Sequence, residues 1–128
     1  MSIRDNYLEI LKRKDAAAKR SGRNPEDVML MAVTKKHEPD ELREAIDAGA
    51  TDFGENKVQE LLSKYDEIHP ERWHLIGHLQ TNKVRQIIDK VTMIHSVDSL
   101  KLAREINKRE SAEGIVMDVM IEINLDEE

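Results

Sequence analysis

Five short apolar runs of strand length are separated by segments of helical periodicity, and this alternation constrains the fold more than any other feature. The runs are residues 28–34, 51–54, 72–77, 92–97 and 115–123. The spacing predicts helices at 3–20, 39–48, 55–62 and 81–89, and another after a cap at Asp98 or Ser99. Strands that alternate with helices predict a parallel sheet covered by helices, and therefore an α/β fold.

The regular spacing of these units favours a barrel over an open sheet. The units recur at intervals of roughly twenty-odd residues, somewhat tighter than in an average (β/α)8 barrel. No Gly-x-Gly-x-x-Gly motif follows a strand, which argues against an open dinucleotide-binding sheet. We therefore expect a (β/α)8 TIM-type barrel in which residues 1–128 form the N-terminal portion of one domain.

Five strands cannot close a parallel barrel, and the last one would leave an unpaired edge. Three outcomes are open: the sheet stays open, another chain completes it, or the chain is part of a longer protein. We expect the third. Exposed strand edges would also allow two such half-barrels to associate.

Charge and composition exclude several classes of function. The net charge is −6, so the chain as a whole repels nucleic acids and anionic membranes. It contains no cysteine, which rules out disulfides and thiolate metal sites and suits a reducing compartment. No apolar run approaches the roughly 20 residues of a membrane span. We expect a cytoplasmic protein without nucleic-acid or membrane partners.

Two adjacent lysines end the first strand. A buried strand that delivers Lys35 or Lys36 to its carboxyl end could present an amine to a carbonyl compound, where it would form a Schiff base. Both lysines could equally be solvated residues of a loop, which is the commoner situation for lysine.

Polar residues occupy the ends of the other strands as well. Asn56 follows the second strand, His78 the third, and Ser96 lies near the end of the fourth. Simple turn and cap chemistry could equally explain Asn56 by position alone. Together with Lys35 they fall at successive carboxyl ends, the face where barrel sites assemble. We expect Lys35, Asn56, His78 and Ser96 to form one binding site.

Two other clusters are explained without a catalytic or metal site. His74 and His78 lie four residues apart on a strand and turn, about 13 Å from each other, which is too far for one metal ion. His95, Ser96, Asp98 and Ser99 contain the residue types of a catalytic triad, but neighbours on a strand end cannot fold back on one another. We expect a helix cap at Asp98 or Ser99, and no metal.

Four segments resemble the pyridoxal phosphate homeostasis proteins, single-domain relatives of the alanine racemase N-terminal barrel. They are 32–35 (Ala-Val-Thr-Lys), 53–60 (Phe-Gly-Glu-Asn-Lys-Val-Gln-Glu), 73–83 (Trp-His-Leu-Ile-Gly-His-Leu-Gln-Thr-Asn-Lys) and 94–99 (Ile-His-Ser-Val-Asp-Ser). The resemblance covers nearly the whole chain, in the family's order and spacing. Two positions depart from the family pattern: Thr34, where serine is common, and Lys36, where threonine is usual.

The resemblance implies pyridoxal 5′-phosphate as cofactor, bound covalently as a Schiff base to Lys35 rather than Lys36. It implies that Asn56 lies beside the cofactor and that His78 belongs to a loop lining the same mouth. It also places the phosphate cradle and the arginine facing the pyridine nitrogen in the second half of the barrel, so this chain by itself is not expected to hold the phosphate. The implied function is storage and delivery of the cofactor without catalysis. The alternative is an enzyme resembling an amino-acid racemase.

Overall fold

The computed structural model describes residues 2–125, which form five strands and five helices. The helices are α1 (Ile3–Arg20), α2 (Pro39–Asp47), α3 (Val58–Tyr65), α4 (Val84–Ile87) and α5 (Leu100–Glu113). The strands are β1 (Met31–Val33), β2 (Asp52–Glu55), β3 (Arg72–Leu75), β4 (Met93–Val97) and β5 (Asp118–Ile121). Short 3-10 turns occupy Pro25–Asp27 and Thr81–Lys83.

The strands form one sheet in the order β1-β2-β3-β4-β5, and every neighbouring pair is parallel. The register shifts between Ile94 and Val97, where β4 meets β5. Sequential parallel strands joined by helices are the arrangement of the first five units of a (β/α)8 barrel. The predicted α/β fold is confirmed.

Local sequence signals explain several helix ends. Ser2 and Ser99 accept hydrogen bonds from backbone N–H groups in the first turns of α1 and α5. Pro39 begins α2, and Gly49 follows its last turn with a φ of 112°, a conformation that favours glycine. Of the two predicted caps for α5, Ser99 is the one observed.

Several predicted boundaries were wrong, among them those of the fifth strand, which covers Asp118–Ile121 rather than 115–123. The first strand starts at Met31 rather than residue 28, because residues 25–28 form a turn whose carbonyls at Pro25 and Val28 accept hydrogen bonds from Lys14 Nζ. The predicted helix 55–62 runs over Val58–Tyr65, since Glu55 belongs to β2. The predicted helix 81–89 consists of a 3-10 turn followed by the single turn of α4.

Alternate residues of the strands face two different environments. Phe53, Trp73 and Leu75 are buried in a core with residues of the helices, and the rings of Phe53 and Trp73 meet edge to face with centroids 5.6 Å apart. The opposite face of β2 and β3 carries Asp52, Gly54, Arg72 and His74. A Cβ on Gly54 would lie 2.6 Å from Met31 Sδ, so this face is packed tightly between neighbouring strands.

Candidate functional site

The loops that follow β2, β3 and β4 contact one another at the carboxyl edge of the sheet. Gly77 lies against the backbone of Asn56, and a Cβ on Gly77 would come within 2.9 Å of Asn56 Cα. His78 Nδ1 lies 3.7 Å from Asp98 Oδ2 in the next loop. Because the strands are parallel and adjacent, their ends share one edge, and these contacts join three successive loops there.

Lys35 is exposed in the turn that follows β1. Its side chain makes no hydrogen bond or ion pair with any of residues 2–125. The next residue, Lys36, has a φ of 64°, in the left-handed region that residues other than glycine seldom adopt. The chain therefore turns sharply between the two lysines.

A buried ionic cluster lies directly behind this turn. Lys64 of α3 donates to the Thr34 carbonyl at 2.8 Å, to Glu55 Oε2 at 2.9 Å and to Glu60 Oε2 at 2.8 Å. The same Glu55 oxygen accepts from the Thr34 hydroxyl at 2.7 Å. Glu60 Oε2 also accepts from the backbone N–H of Lys36 at 2.5 Å.

Charge pairing governs protonation in this cluster. Burial by itself lowers the pKa of Lys64, but the hydrogen bonds from its ammonium to Glu60 and Glu55 outweigh burial and raise it. The hydrogen bonds from Lys64 and from the Lys36 backbone lower the pKa of Glu60. Lys64 and Glu60 are thus held as an ion pair at neutral pH.

The other predicted site residues differ in accessibility. Asn56 is half-buried, whereas the His78 side chain is 72% exposed. Ser96 is only 2% exposed, and its hydroxyl has no hydrogen-bond partner within the described part of the chain. Within residues 2–125 no hydrogen bond joins Lys35 to Asn56, His78 or Ser96. The structure brings the loops of Asn56 and His78 together, and the common site stays a prediction.

A second network of hydrogen-bonded side chains lies on the face of the sheet opposite to the Lys64 cluster. Asp52 Oδ1 accepts from Arg72 Nε at 2.7 Å and from His74 Nε2 at 2.8 Å. His74 Nδ1 in turn lies 3.0 Å from His95 Nε2. Because an ionised carboxylate only accepts, His74 carries its proton on Nε2 in this arrangement. His74 lies within β3, where Asp52 holds it, whereas His78 lies in the loop that follows this strand.

These partners fix the charge on Asp52. Burial would raise the pKa of this carboxyl, but hydrogen bonds from Arg72, Thr51 and His74, with the positive charge of Arg72, lower it to about 2. Burial and the adjacent His74 lower the pKa of His95. Among residues 2–125 there is no group of three or more ligand side chains that could hold a metal ion.

Sequence reasoning missed the roles of Glu55 and Lys64. The i, i+4 spacing of Glu60 and Lys64 was a readable signal of pairing on a helix. An acid inside an apolar strand, as Glu55 is, likewise signals a buried partner of opposite charge. Neither signal identifies the loop that the cluster supports.

Comparison with known proteins identifies a family to which the chain is similar. The family described as "Alanine racemase, N-terminal domain" matches residues 9–127. A pyridoxal phosphate homeostasis protein of Aquifex aeolicus is 40% identical over 127 residues, covering 98% of this chain and 56% of the relative. The resemblance seen in the sequence motifs is confirmed, and the chain spans about half the length of the curated relatives it matches.

Two solved structures share the fold. An unknown protein from Bifidobacterium adolescentis aligns with a TM-score of 0.84 and 34% identity, covering 98% of this chain and 56% of the other. PipY of Synechococcus elongatus, solved with pyridoxal phosphate bound, aligns with a TM-score of 0.74 and 34% identity, covering 90% and 56%. No helix among residues 2–125 has the length and apolar character needed to cross a bilayer.

Proposed function

This chain belongs to the family of the alanine racemase N-terminal domain, and we propose that it is part of a protein that binds pyridoxal phosphate through Lys35. The observation that carries the proposal is the exposed amine of Lys35 at the carboxyl end of β1, without a hydrogen-bond or ion-pair partner in the described residues. A relative of known structure, PipY, has the cofactor bound on the same fold.

The residues present fit the aldehyde end of this cofactor. Pyridoxal phosphate supplies an aldehyde carbon that a neutral amine can attack, forming a carbon–nitrogen double bond and releasing the oxygen as water. Lys35 would contribute the amine, and Asn56 offers an amide that can both donate and accept at the adjacent strand end. His78 would line the mouth from the next loop. Ser96, being buried, would act from beneath the site through its hydroxyl, which has no hydrogen-bond partner in the described residues.

We propose a role in maintaining the cofactor supply by storage and delivery, without turnover of amino acids. The names of the curated relatives support this role. An enzyme resembling a racemase is the alternative, and it requires removal of an α-hydrogen from an amino acid. Incubation of the whole protein with cofactor and alanine in deuterated water separates the two. A carrier leaves the α-hydrogen in place, whereas an enzyme exchanges it.

The proposal includes a cytoplasmic location, which the absence of cysteine supports. It also includes self-association of the 128-residue chain through its sheet edges. All four residues of β5 are exposed, with Ile121 at 70%, and Val33 on β1 at the other edge is 48% exposed. Apolar residues on an edge strand favour pairing with another chain.

The assignment to Lys35 is tested by trapping. The whole protein is mixed with the cofactor, reduced with borohydride and digested, and the modified peptide is identified by mass. Lys35→Ala is expected to lower the adduct to background, while Lys36→Ala keeps it. An undiminished adduct in Lys35→Ala would show that another amine binds the cofactor.

A further inference from the structure

The two peptide groups that flank Lys35 are both held by α3. On one side the Thr34 carbonyl accepts from Lys64 Nζ at 2.8 Å. On the other side the Lys36 N–H donates to Glu60 Oε2 at 2.5 Å. Lys64 and Glu60 are themselves paired at 2.8 Å. We call this arrangement of Lys64, Glu60 and Glu55 the α3 clamp.

Two of the three clamp residues are buried, which is unusual for charged side chains. The Lys64 side chain is 7% exposed and the Glu55 side chain 0% exposed. One oxygen of Glu55, Oε1, has no hydrogen-bond partner among residues 2–125. A buried ion pair contributes little to stability compared with apolar residues of the same size, so its presence points to a requirement for a specific geometry. The geometry it fixes here is the turn at Lys35 and Lys36.

Two exposed primary amines are adjacent in this turn, and each could in principle capture an aldehyde. Lys36 has a φ of 64° in a turn that the His37 N–H closes by donating to the Thr34 carbonyl at 3.2 Å, and the clamp holds the peptide group on each side of Lys35 within that turn. Without the clamp's hydrogen bonds, Lys36 would be expected to adopt the negative φ values that residues other than glycine prefer. The amines of Lys35 and Lys36 could then reach the same position.

We propose that the α3 clamp determines which lysine captures the aldehyde, by positioning Lys35 at the site and holding Lys36 away from it. This inference rests on the proposed function. Glu60 and Lys64 act through the backbone and touch no ligand, so they are positioning residues. Since α3 follows Asn56, the clamp also ties the loop after β1 to the loop after β2.

The test measures how the reduced adduct is divided between Lys35 and Lys36. The clamp variants are Lys64→Met and Glu60→Ala. Each is expected to lower the ratio of Lys35 to Lys36 adduct by about tenfold, as for loss of one hydrogen bond to a charged group. Glu60→Gln keeps an oxygen that can accept from the Lys36 N–H and should retain most of the selectivity. Lys101→Met, at an exposed lysine of α5, is the matched control and should leave the ratio unchanged.

A second measurement needs no cofactor. Hydrogen exchange at the Lys36 amide should accelerate in Lys64→Met and Glu60→Ala, but not in Lys101→Met. If Lys64→Met fails to fold, the proposal is tested by comparing Glu60→Ala with Glu60→Gln. The Glu60 side chain is 26% exposed, against 7% for Lys64, so its replacement should disturb the fold less.

The possible failures are distinguishable. If the protein without substitutions forms no adduct at Lys35, the proposed function is wrong. If it forms one at Lys35, and Glu60→Ala speeds amide exchange at Lys36 while leaving the adduct ratio unchanged, the clamp does not select the lysine and the inference is overturned.

Discussion

Replacing Asp52 by asparagine should destabilise the protein at neutral pH and do so less and less as the pH falls. Asp52 is 1% exposed and is paired with Arg72, whose side chain is 40% exposed. Its pKa is about 2 in the folded protein, against an ordinary value of 3.8. One pKa unit corresponds to about 1.36 kcal/mol, so the ionised carboxylate stabilises the fold by roughly 2 kcal/mol.

The direction of the pH effect follows from the lowered pKa. Above about pH 4, Asp52 is ionised in both folded and unfolded states, and its contribution is fully present. As the pH falls from about 4 to about 2, the unfolded chain takes up a proton more readily than the folded one, and the contribution is lost. Asparagine has no such titration, so the two proteins should converge in stability over this interval.

Urea unfolding followed by circular dichroism measures the difference. At about pH 7 the midpoint of Asp52→Asn should be lower by roughly 1 M, for a loss of about 2 kcal/mol and an ordinary dependence on urea. Asp40→Asn is the control, because Asp40 also pairs with an arginine, at 2.8 Å, but is 96% exposed. An exposed pair contributes about 0–1 kcal/mol. A gap for Asp52→Asn as wide at about pH 2 as at neutral pH would refute the reasoning.

Three further predictions concern single positions. Gly77→Ala should place a methyl group against the backbone of Asn56, lower stability by about 1–3 kcal/mol and shift the amide resonances of residues 55–57, as measured by urea unfolding and NMR; unchanged resonances would contradict the close contact. Ser99→Ala removes the cap whose hydroxyl oxygen accepts from the Leu102 N–H at 3.1 Å and should cost about 1 kcal/mol in thermal or urea unfolding, whereas no loss would show that the cap is unimportant. Ile121→Lys should reduce self-association of the 128-residue chain in sedimentation velocity, because a charge on the edge strand opposes pairing; a strictly monomeric parent chain would rule out the association itself.

The succession of elements was readable from the sequence because it depends on local signals. The helical spacing of apolar residues predicted α1 with its observed bounds, and Pro39, Gly49 and Ser99 marked the ends of helices through backbone preferences that hold in any fold. Apolar runs that alternate with helices implied parallel neighbours, and the sheet has that order. The position of Lys35 at the end of β1 followed from the same periodicity.

The tertiary structure decided what depends on residues far apart in the chain. β1 is only three residues long because Lys14 of α1 holds the turn before it, and the strand pattern alone carries no sign of that contact. Glu55 was predicted to begin a helix, yet it is a buried strand residue, since Lys64 reaches it from α3. These pairings, like the hydrogen bonds that join Asp52, His74 and His95, depend on which strands and helices are neighbours. The periodicity of a single segment does not specify its neighbours. The sequence therefore determined the order of the elements, while long-range charge pairing determined the backbone around the proposed site.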